Sequence, residues 1–303
     1  MSPTALLALL ASCLMWGTTG VVASFMTTDV STLAIGSFTM GVGGVILALI
    51  TWRDVRAALK IPSARSWILW GGLGVLVYPL AFYTGMDMVG VAVGNSIALG
   101  SGPLFAGIIE WVATRAVPAL RWFIALAIAS VGLAFVAIAR SDDGAQSLAG
   151  IGFGILAGIA YALYSVSGAR VIAAGANFRG AMGAVFGAGA IPLLSILAFT
   201  GGPLIADAGN LARGAYLALG PLVIAYLFFG FALTKVTAST ATLVTLLEPA
   251  FSVILAVVIL GETLPAIGWW GTGLLISGVV IATAGSNRPQ SADSRVSTTT
   301  LEP

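Results

Sequence analysis

Ten stretches of this chain run about twenty residues each with almost no charge, at roughly 4–26, 31–52, 66–87, 91–113, 120–140, 148–172, 179–200, 213–234, 238–260 and 265–285. A helix needs about 20 apolar residues to cross about 30 Å of hydrocarbon. In lipid every backbone N–H and C=O must find a partner within the protein, so only helices and closed barrels can span. The stretches are continuously apolar rather than alternating, which selects helices. Charged residues are only 8% of the chain and the mean hydropathy is +1.06. Soluble domains carry about 25% charge, and too little chain lies between the stretches to build one. The first stretch has no basic run before it and leads straight into the second, so it is expected to be a helix rather than a signal peptide. The expected fold class is therefore all-α integral membrane, with ten transmembrane helices.

The chain also matches itself at a shift of 146 positions. Leu73, Gly74, Leu76 and Val77 fall on Leu219, Gly220, Leu222 and Val223. Phe82 meets Phe228, Ala92 meets Ala238, Pro103 meets Pro249, Phe105 meets Phe251, Ile108 meets Ile254 and Gly132 meets Gly278. One constant offset through several apolar segments indicates a duplication of five spans. Five is odd, so the second copy must enter the membrane from the opposite side, giving two inverted five-helix repeats. The expected division is 1–146 and 147–286, followed by a polar, Ser/Thr-rich tail at 287–303 expected to be disordered and cytoplasmic.

The basic residues orient this arrangement. Arg53, Arg56, Lys60, Arg65, Arg115, Arg121, Arg170, Arg179, Lys235, Arg288 and Arg295 fall on the side of the termini, and only Arg140 and Arg213 on the other. By the positive-inside rule both termini face the cytoplasm. Asp29, Asp142, Asp143, Asp207 and Glu262 fall mostly outside. The expected setting is a bacterial inner membrane crossed many times, with the lipid bilayer as partner. The net charge of +2 reflects this topology and gives no reason to expect a nucleic acid.

One cysteine (Cys13) and no histidine exclude an intramolecular disulfide, cysteine clusters, histidine metal ligands and Ser-His catalysis. No cofactor or metal is expected. An intramembrane protease would need a nucleophile with a base, a metal, or paired aspartates, and none can be assembled, so the chain is not expected to be an enzyme. A channel would call for a ring of charge or a filter-like loop, and neither is visible.

Polar and aromatic residues inside the spans mark a candidate site. Glu248 lies mid-span beside Pro249, which frees the carbonyl of Thr245 and can kink the helix there. An acid at this depth faces a polar partner or a wet cavity. Two readings stand side by side: it binds a cation, a proton or substrate, or it is a structural acid satisfied by neighbouring hydroxyls and backbone. Its counterpart is Gly102, so the acid is not duplicated. Glu110, near the end of its span, is expected to pair with Arg115, and Asp87 and Glu262 to lie near the outer surface. Tyr161, Tyr164, Ser165 and Gly168 share a helical face, as do Trp16, Thr19 and Gly20. Tyr78 and Phe82 form one stripe with Tyr83 to its side. Asn95 is a lone amide among apolar residues, and Tyr226 shares a face with Gly230. Rings with polar edges suit a zwitterionic or cationic organic substrate, or else anchor helices at headgroup depth. Trp52, Trp67, Trp111, Trp122, Trp269 and Trp270, near span ends, are assigned to that belt. The glycine ridges Gly150, Gly154, Gly158 and Gly183, Gly187 read as close helix packing, and Gly17, Gly20, Gly85 and Gly230 as positions that permit bending.

WGTTGVV at Trp16–Val22, AYALYSV at Ala160–Val166, LEPAFSVILAVVILGE at Leu247–Glu262 and GTGLLISGVV at Gly271–Val280 resemble the ten-helix, EamA-type branch of the drug/metabolite transporter superfamily. The resemblance runs to about Ser286. It implies five-plus-five inverted repeats, cytoplasmic termini and a cavity lined by spans 1, 3, 4, 6, 8 and 9, with 5 and 10 peripheral. The first half departs from the pattern, with Gly102 before Pro103 and Ala116 where the Gly-Glu acid would stand. Within the superfamily the chain is most similar to exporters of aromatic and other neutral amino acids (the YddG type). The expected function is export of amino acids by alternating access. The alternative is export of cationic drugs or other small metabolites, with Glu248 as charge partner; ion or proton coupling stays open. The candidate substrate-binding residues are Trp16, Thr19, Tyr78, Phe82, Tyr83, Asn95, Tyr161, Tyr164, Ser165, Tyr226, Thr245 and Glu248.

Overall fold

The computed structural model describes residues 1–140 and 147–284; Asp142, Asp143 and the tail at 287–303 lie outside the described residues. Ten helices are long and apolar enough to span: α1 Pro3–Ser24, α2 Thr32–Ile50, α3 Pro62–Val89, α4 Val91–Thr114, α5 Leu120–Arg140, α6 Leu148–Ala173, α7 Phe178–Thr200, α8 Ala208–Leu233, α9 Ala238–Leu260 and α10 Ala266–Thr283. Hydroxyl, amide and carboxylate caps start many of them. Ser2 accepts from Ala5 N–H, Ser31 from Ala34, Ser147 from Gly150, Asn177 from Arg179 and Asp207 from Asn210. Each satisfies a backbone donor that helix geometry leaves unpaired. Gly90, at φ +86°, allows α3 to turn directly into α4, a conformation only glycine adopts without strain.

The helices are not uniform rods. Wide π turns interrupt α2 at Phe38–Val42, α8 at Ala218–Ile224 and α9 at Ala256–Leu260. In α9 the break expected from Pro249 is present: Thr245 O accepts from Glu248 N–H at 2.9 Å, and regular helix resumes at Leu247.

Helix pairing follows the repeat. α1 packs on α8 and α9, and its counterpart α6 packs on α3 and α4. α2 packs on α7, and α5 on α10. The α5–α10 seam shows the symmetry at residue level. A Cβ on Gly132 would lie 2.6 Å from Gly271 O, and a Cβ on Gly278 would lie 2.8 Å from Ala125 O. Adding 146 to 132 and 125 gives 278 and 271, so the two contacts are one contact related by a pseudo-two-fold axis. The ridge glycines also pack closely: Gly154 against Ile97, Gly158 against Ala98 O, Gly187 against Ala48. Gly17 and Gly85, expected to permit bending, occupy close crossings too, against Phe251 and Gly154 respectively. With no hydrophobic effect driving one helix onto another in lipid, such contacts hold the bundle.

Candidate functional site

A cavity of about 510 Å³ lies between the two halves. Its deep end is built from Trp16, Tyr78, Tyr161, Tyr164, Tyr226 and Glu248. Its wall then climbs past Phe82, Tyr83, Asn95 and Ser96 to Arg140 and Glu262. Those last two sit where α5 ends and α9 runs toward α10, so the mouth is on the face opposite the start of α1 and the end of α10. α1, α3, α4, α6, α8 and α9 contribute as the family resemblance implied, and α2 adds Thr32, Ile35, Gly36, Thr39 and Met40. α5 reaches it only with Val136 and Arg140.

Two hydroxyl pairs join helices at the deep end. Tyr164 Oη and Tyr226 Oη are 2.7 Å apart, linking α6 to α8. Tyr161 Oη and Thr245 Oγ1 are 2.6 Å apart, linking α6 to α9. The rings interlock: Tyr78 meets Tyr164 edge-on at 5.8 Å and stacks on Phe82 at 5.2 Å, while Phe82 meets Tyr83 edge-on at 5.2 Å. Trp16 is fixed by its Nε1, which donates to Pro221 O at 2.7 Å in the wide turn of α8, and its ring lies 4.9 Å from that of Tyr226. Burying the rings of Trp16, Tyr161, Tyr164 and Tyr226 with their polar edges hydrogen-bonded gives a rigid aromatic wall.

Glu248 is different. It faces the cavity half-buried, and no hydrogen bond or ion pair joins its carboxylate to any described residue. The structural reading of this acid, in which neighbouring hydroxyls and backbone satisfy it, is not what the structure has. The threonine hydroxyls that precede it on α9 are committed elsewhere: Thr245 Oγ1 donates to Thr242 O at 2.8 Å and Thr242 Oγ1 to Ala238 O at 2.9 Å. Arg140 is the basic residue of the cavity wall, and it pairs with Glu262 at 2.7 Å at the mouth.

The expected residues sort as follows. Trp16, Thr19, Tyr78, Phe82, Tyr83, Asn95, Tyr161, Tyr164, Tyr226 and Glu248 all line the cavity. Ser165 does not. The Tyr161 and Tyr164 rings line the cavity, whereas this side chain is 1% exposed, outside the lining, and its Oγ has no hydrogen-bond partner among the described residues. Thr245 is likewise outside the wall and acts by holding Tyr161. Among residues not singled out, Ser252 lines the cavity one helical turn from Glu248 on the same face of α9; the i, i+4 spacing could have found it. Thr39 lines it from α2 with its Oγ1 unpartnered, and no pattern in the sequence signals it.

Two span-end expectations are corrected. Glu110 does not pair with Arg115, whose backbone turns left-handed at φ 61° to end α4. Its carboxylate accepts instead from Ala238 N, Ser239 N and Ser239 Oγ at 3.3, 3.2 and 2.5 Å. The first turn of α9 offers unpaired N–H groups there, which attract the carboxylate more strongly than an exposed guanidinium in water. Trp122 is not in the headgroup belt; it is buried and donates from Nε1 to Ser239 O at 3.1 Å. Trp67 is half-buried, with the Arg170 guanidinium 5.6 Å from its ring centroid. Trp52, Trp111, Trp269 and Trp270 are exposed.

Ten spans in two inverted halves, closed around an aromatic cavity that holds one free acid, define a membrane transporter. The chain belongs to the EamA-like transporter family, which matches it over residues 3–138 and 148–284. It is 28% identical over 278 residues to "Uncharacterized transporter YwfM" of Bacillus subtilis, covering 92% of this chain and 93% of that one. An "Uncharacterized transporter" of Clostridium kluyveri is 30% identical over 141 residues, 46% of this chain and 45% of its own. A crystal structure superposes with a TM-score of 0.77 at 16% identity, covering 94% of this chain and 98% of that one, a likeness of fold alone.

Proposed function

We propose that this transporter exports small organic solutes carrying an ammonium group, amino acids with aromatic or other neutral side chains among them, by alternating access of its two halves. The carrying observation is the Glu248 carboxylate, without a hydrogen-bond or ion-pair partner among the described residues, in a cavity walled by Trp16, Tyr78, Phe82, Tyr161, Tyr164 and Tyr226. An ammonium can ion-pair with the acid and lie against the ring faces, each cation–π contact adding about 0.5–2 kcal/mol. A volume of about 510 Å³ falls within the range of about 300–1,000 Å³ typical of small-molecule sites. With the termini cytoplasmic, as the basic residues favour, the cavity opens outward from a bacterial inner membrane.

A second reading is export of organic cations that lack a carboxylate. It is favoured by the absence of an uncommitted basic side chain among the lining residues to receive one. Competition binding in detergent with phenylalanine and 2-phenylethylamine separates the two, followed by counterflow in proteoliposomes. Phenylalanine binding with saturable flux supports the amino-acid reading, and amine binding alone supports the cation reading. Absence of saturable flux for every amino acid and amine tested sinks both.

A further inference from the structure

Among the described residues the cavity lining reaches one face, at Arg140 and Glu262, and the other face is held by groups that have no counterpart there. Glu110 and Trp122, both from the first half, grip the same residue of the second, Ser239 at the start of α9. Trp122 is seated by Gly107, where a Cβ would lie 3.0 Å from its ring. A shift of 146 carries Glu110 to Ala256 and Trp122 to Gly268. Ala256 and Ala92, the counterpart of Ala238, both line the open cavity. The open face thus has alanines where the closed face has a carboxylate on a helix N-terminus.

The same shift maps what lies behind the grip. On α4, Ala92, Ser96 and Leu99 line the open cavity. Their counterparts on α9 are Ala238, Thr242 and Thr245, each at most 3% exposed. With Ser239 these hydroxyls form a row at three-residue spacing that runs from Glu110 to Glu248. On α6, which packs against the start of α9, Ser165 Oγ, Ser167 Oγ and Arg170 Nε are buried with no hydrogen-bond partner among the described residues, as are Ser37 Oγ and Thr39 Oγ1 on α2.

We propose that Glu110 is the latch of the terminal face, and that Ser239, Thr242 and Thr245 form the wall of the passage that its release opens. This rests on alternating access, but not on any assignment of substrate. In the released state Thr242 takes the position that Ser96 holds now, and the hydroxyl row carries solute between Glu248 and the face of the termini. Glu110 acts as a positioning residue for α9 and touches no substrate.

The single cysteine, Cys13, is fully buried, so a Cys13→Ala background suits thiol labelling in nanodiscs with a water-soluble maleimide. Ser96→Cys should react and Thr242→Cys should be protected. Adding Glu110→Ala should raise the Thr242→Cys rate roughly tenfold or more, as expected for loss of a charge-assisted bond biasing two states, and lower the Ser96→Cys rate. Glu110→Gln keeps one oxygen toward the α9 N–H groups and should fall between. Unchanged reactivity at Thr242→Cys in folded Glu110→Ala protein overturns the proposal. So does a rise at both positions together, which would mean loosening rather than exchange of faces. No substrate enters the measurement, so failure of the ammonium reading leaves this result standing, and the reverse.

Discussion

Replacing Glu248 by Gln removes the charge while keeping the shape, and the structure gives the change two separate consequences. A ligand ammonium loses a charge-assisted hydrogen bond, worth about 1.5–3 kcal/mol, which is roughly 10- to 150-fold in Kd. Coulomb's law gives about 4 kcal/mol for unit charges 4 Å apart at an effective dielectric of 20. The cavity is open to water at one end, so the smaller figure is the better expectation. The fold, in contrast, loses nothing, because the carboxylate accepts no hydrogen bond from any described residue and sits half-buried among rings. Relieving a charge of a few kcal/mol desolvation cost should leave Tm unchanged or raise it. Titration calorimetry with 2-phenylethylamine in detergent, paired with a thermal melt, reads both. Benzamide, uncharged and aromatic, serves as control and should bind alike in both proteins. A fall in Tm with unchanged amine affinity would refute the reasoning and return Glu248 to a structural role.

The Tyr164–Tyr226 hydroxyl pair, 2.7 Å apart, should show coupling of about 1 kcal/mol in a double-mutant cycle of Tyr→Phe changes read by thermal or denaturant unfolding; additive effects would argue against the bond. Gly132→Leu and Gly278→Leu should each destabilise by about 1–3 kcal/mol or more and by similar amounts, since their contacts at 2.6 and 2.8 Å are related by the repeat. A large effect of one and none of the other, by the melting of purified protein, would break the symmetry argument. Arg140→Ala removes a pair that is 30% and 45% exposed, so water and salt screen it and stability should change by less than about 1 kcal/mol. The same change frees Glu262 at the mouth and should make amine binding more sensitive to ionic strength, measured from low to high salt.

The ten spans were legible because bilayer thickness fixes how long an apolar run must be, and that requirement is local to each segment. The inversion was legible because an odd number of spans per repeat leaves no other choice. Depth along a helix could also be read, which is why Tyr161, Tyr164, Tyr226 and Glu248 were found. Angle around the bundle could not. Ser165 follows Tyr164 directly and shares its depth, but its side chain is buried away from the cavity lining. Thr245 is one helical step from Glu248, yet its hydroxyl is spent on Tyr161 and on the Thr242 carbonyl. Glu110 and Trp122 were misjudged for a further reason: their partner, Ser239, is more than a hundred residues away in sequence. Nearness to a span end, used alone, could not reveal that contact.

Duplication supplies a symmetric frame, and the substitutions within it are not independent. Glu248 has Gly102 as its counterpart, and a Cβ at Gly102 would lie 2.6 Å from the Tyr161 ring. The missing side chain is what lets that ring cross α4 and floor the cavity; an acid there would displace the residue that Thr245 holds in place. One acid and one ring thus occupy two equivalent positions and meet at the same cavity. The closed face repeats the logic, with Glu110 answered by Ala256 and Trp122 by Gly268. If both faces carried the latch, both would be held shut; if neither did, nothing would set which face opens. On the latch proposal, placing it once would make the two states unequal in energy while the backbone remains nearly symmetric, and the resting direction of the cavity would be a property of a few side chains rather than of the fold.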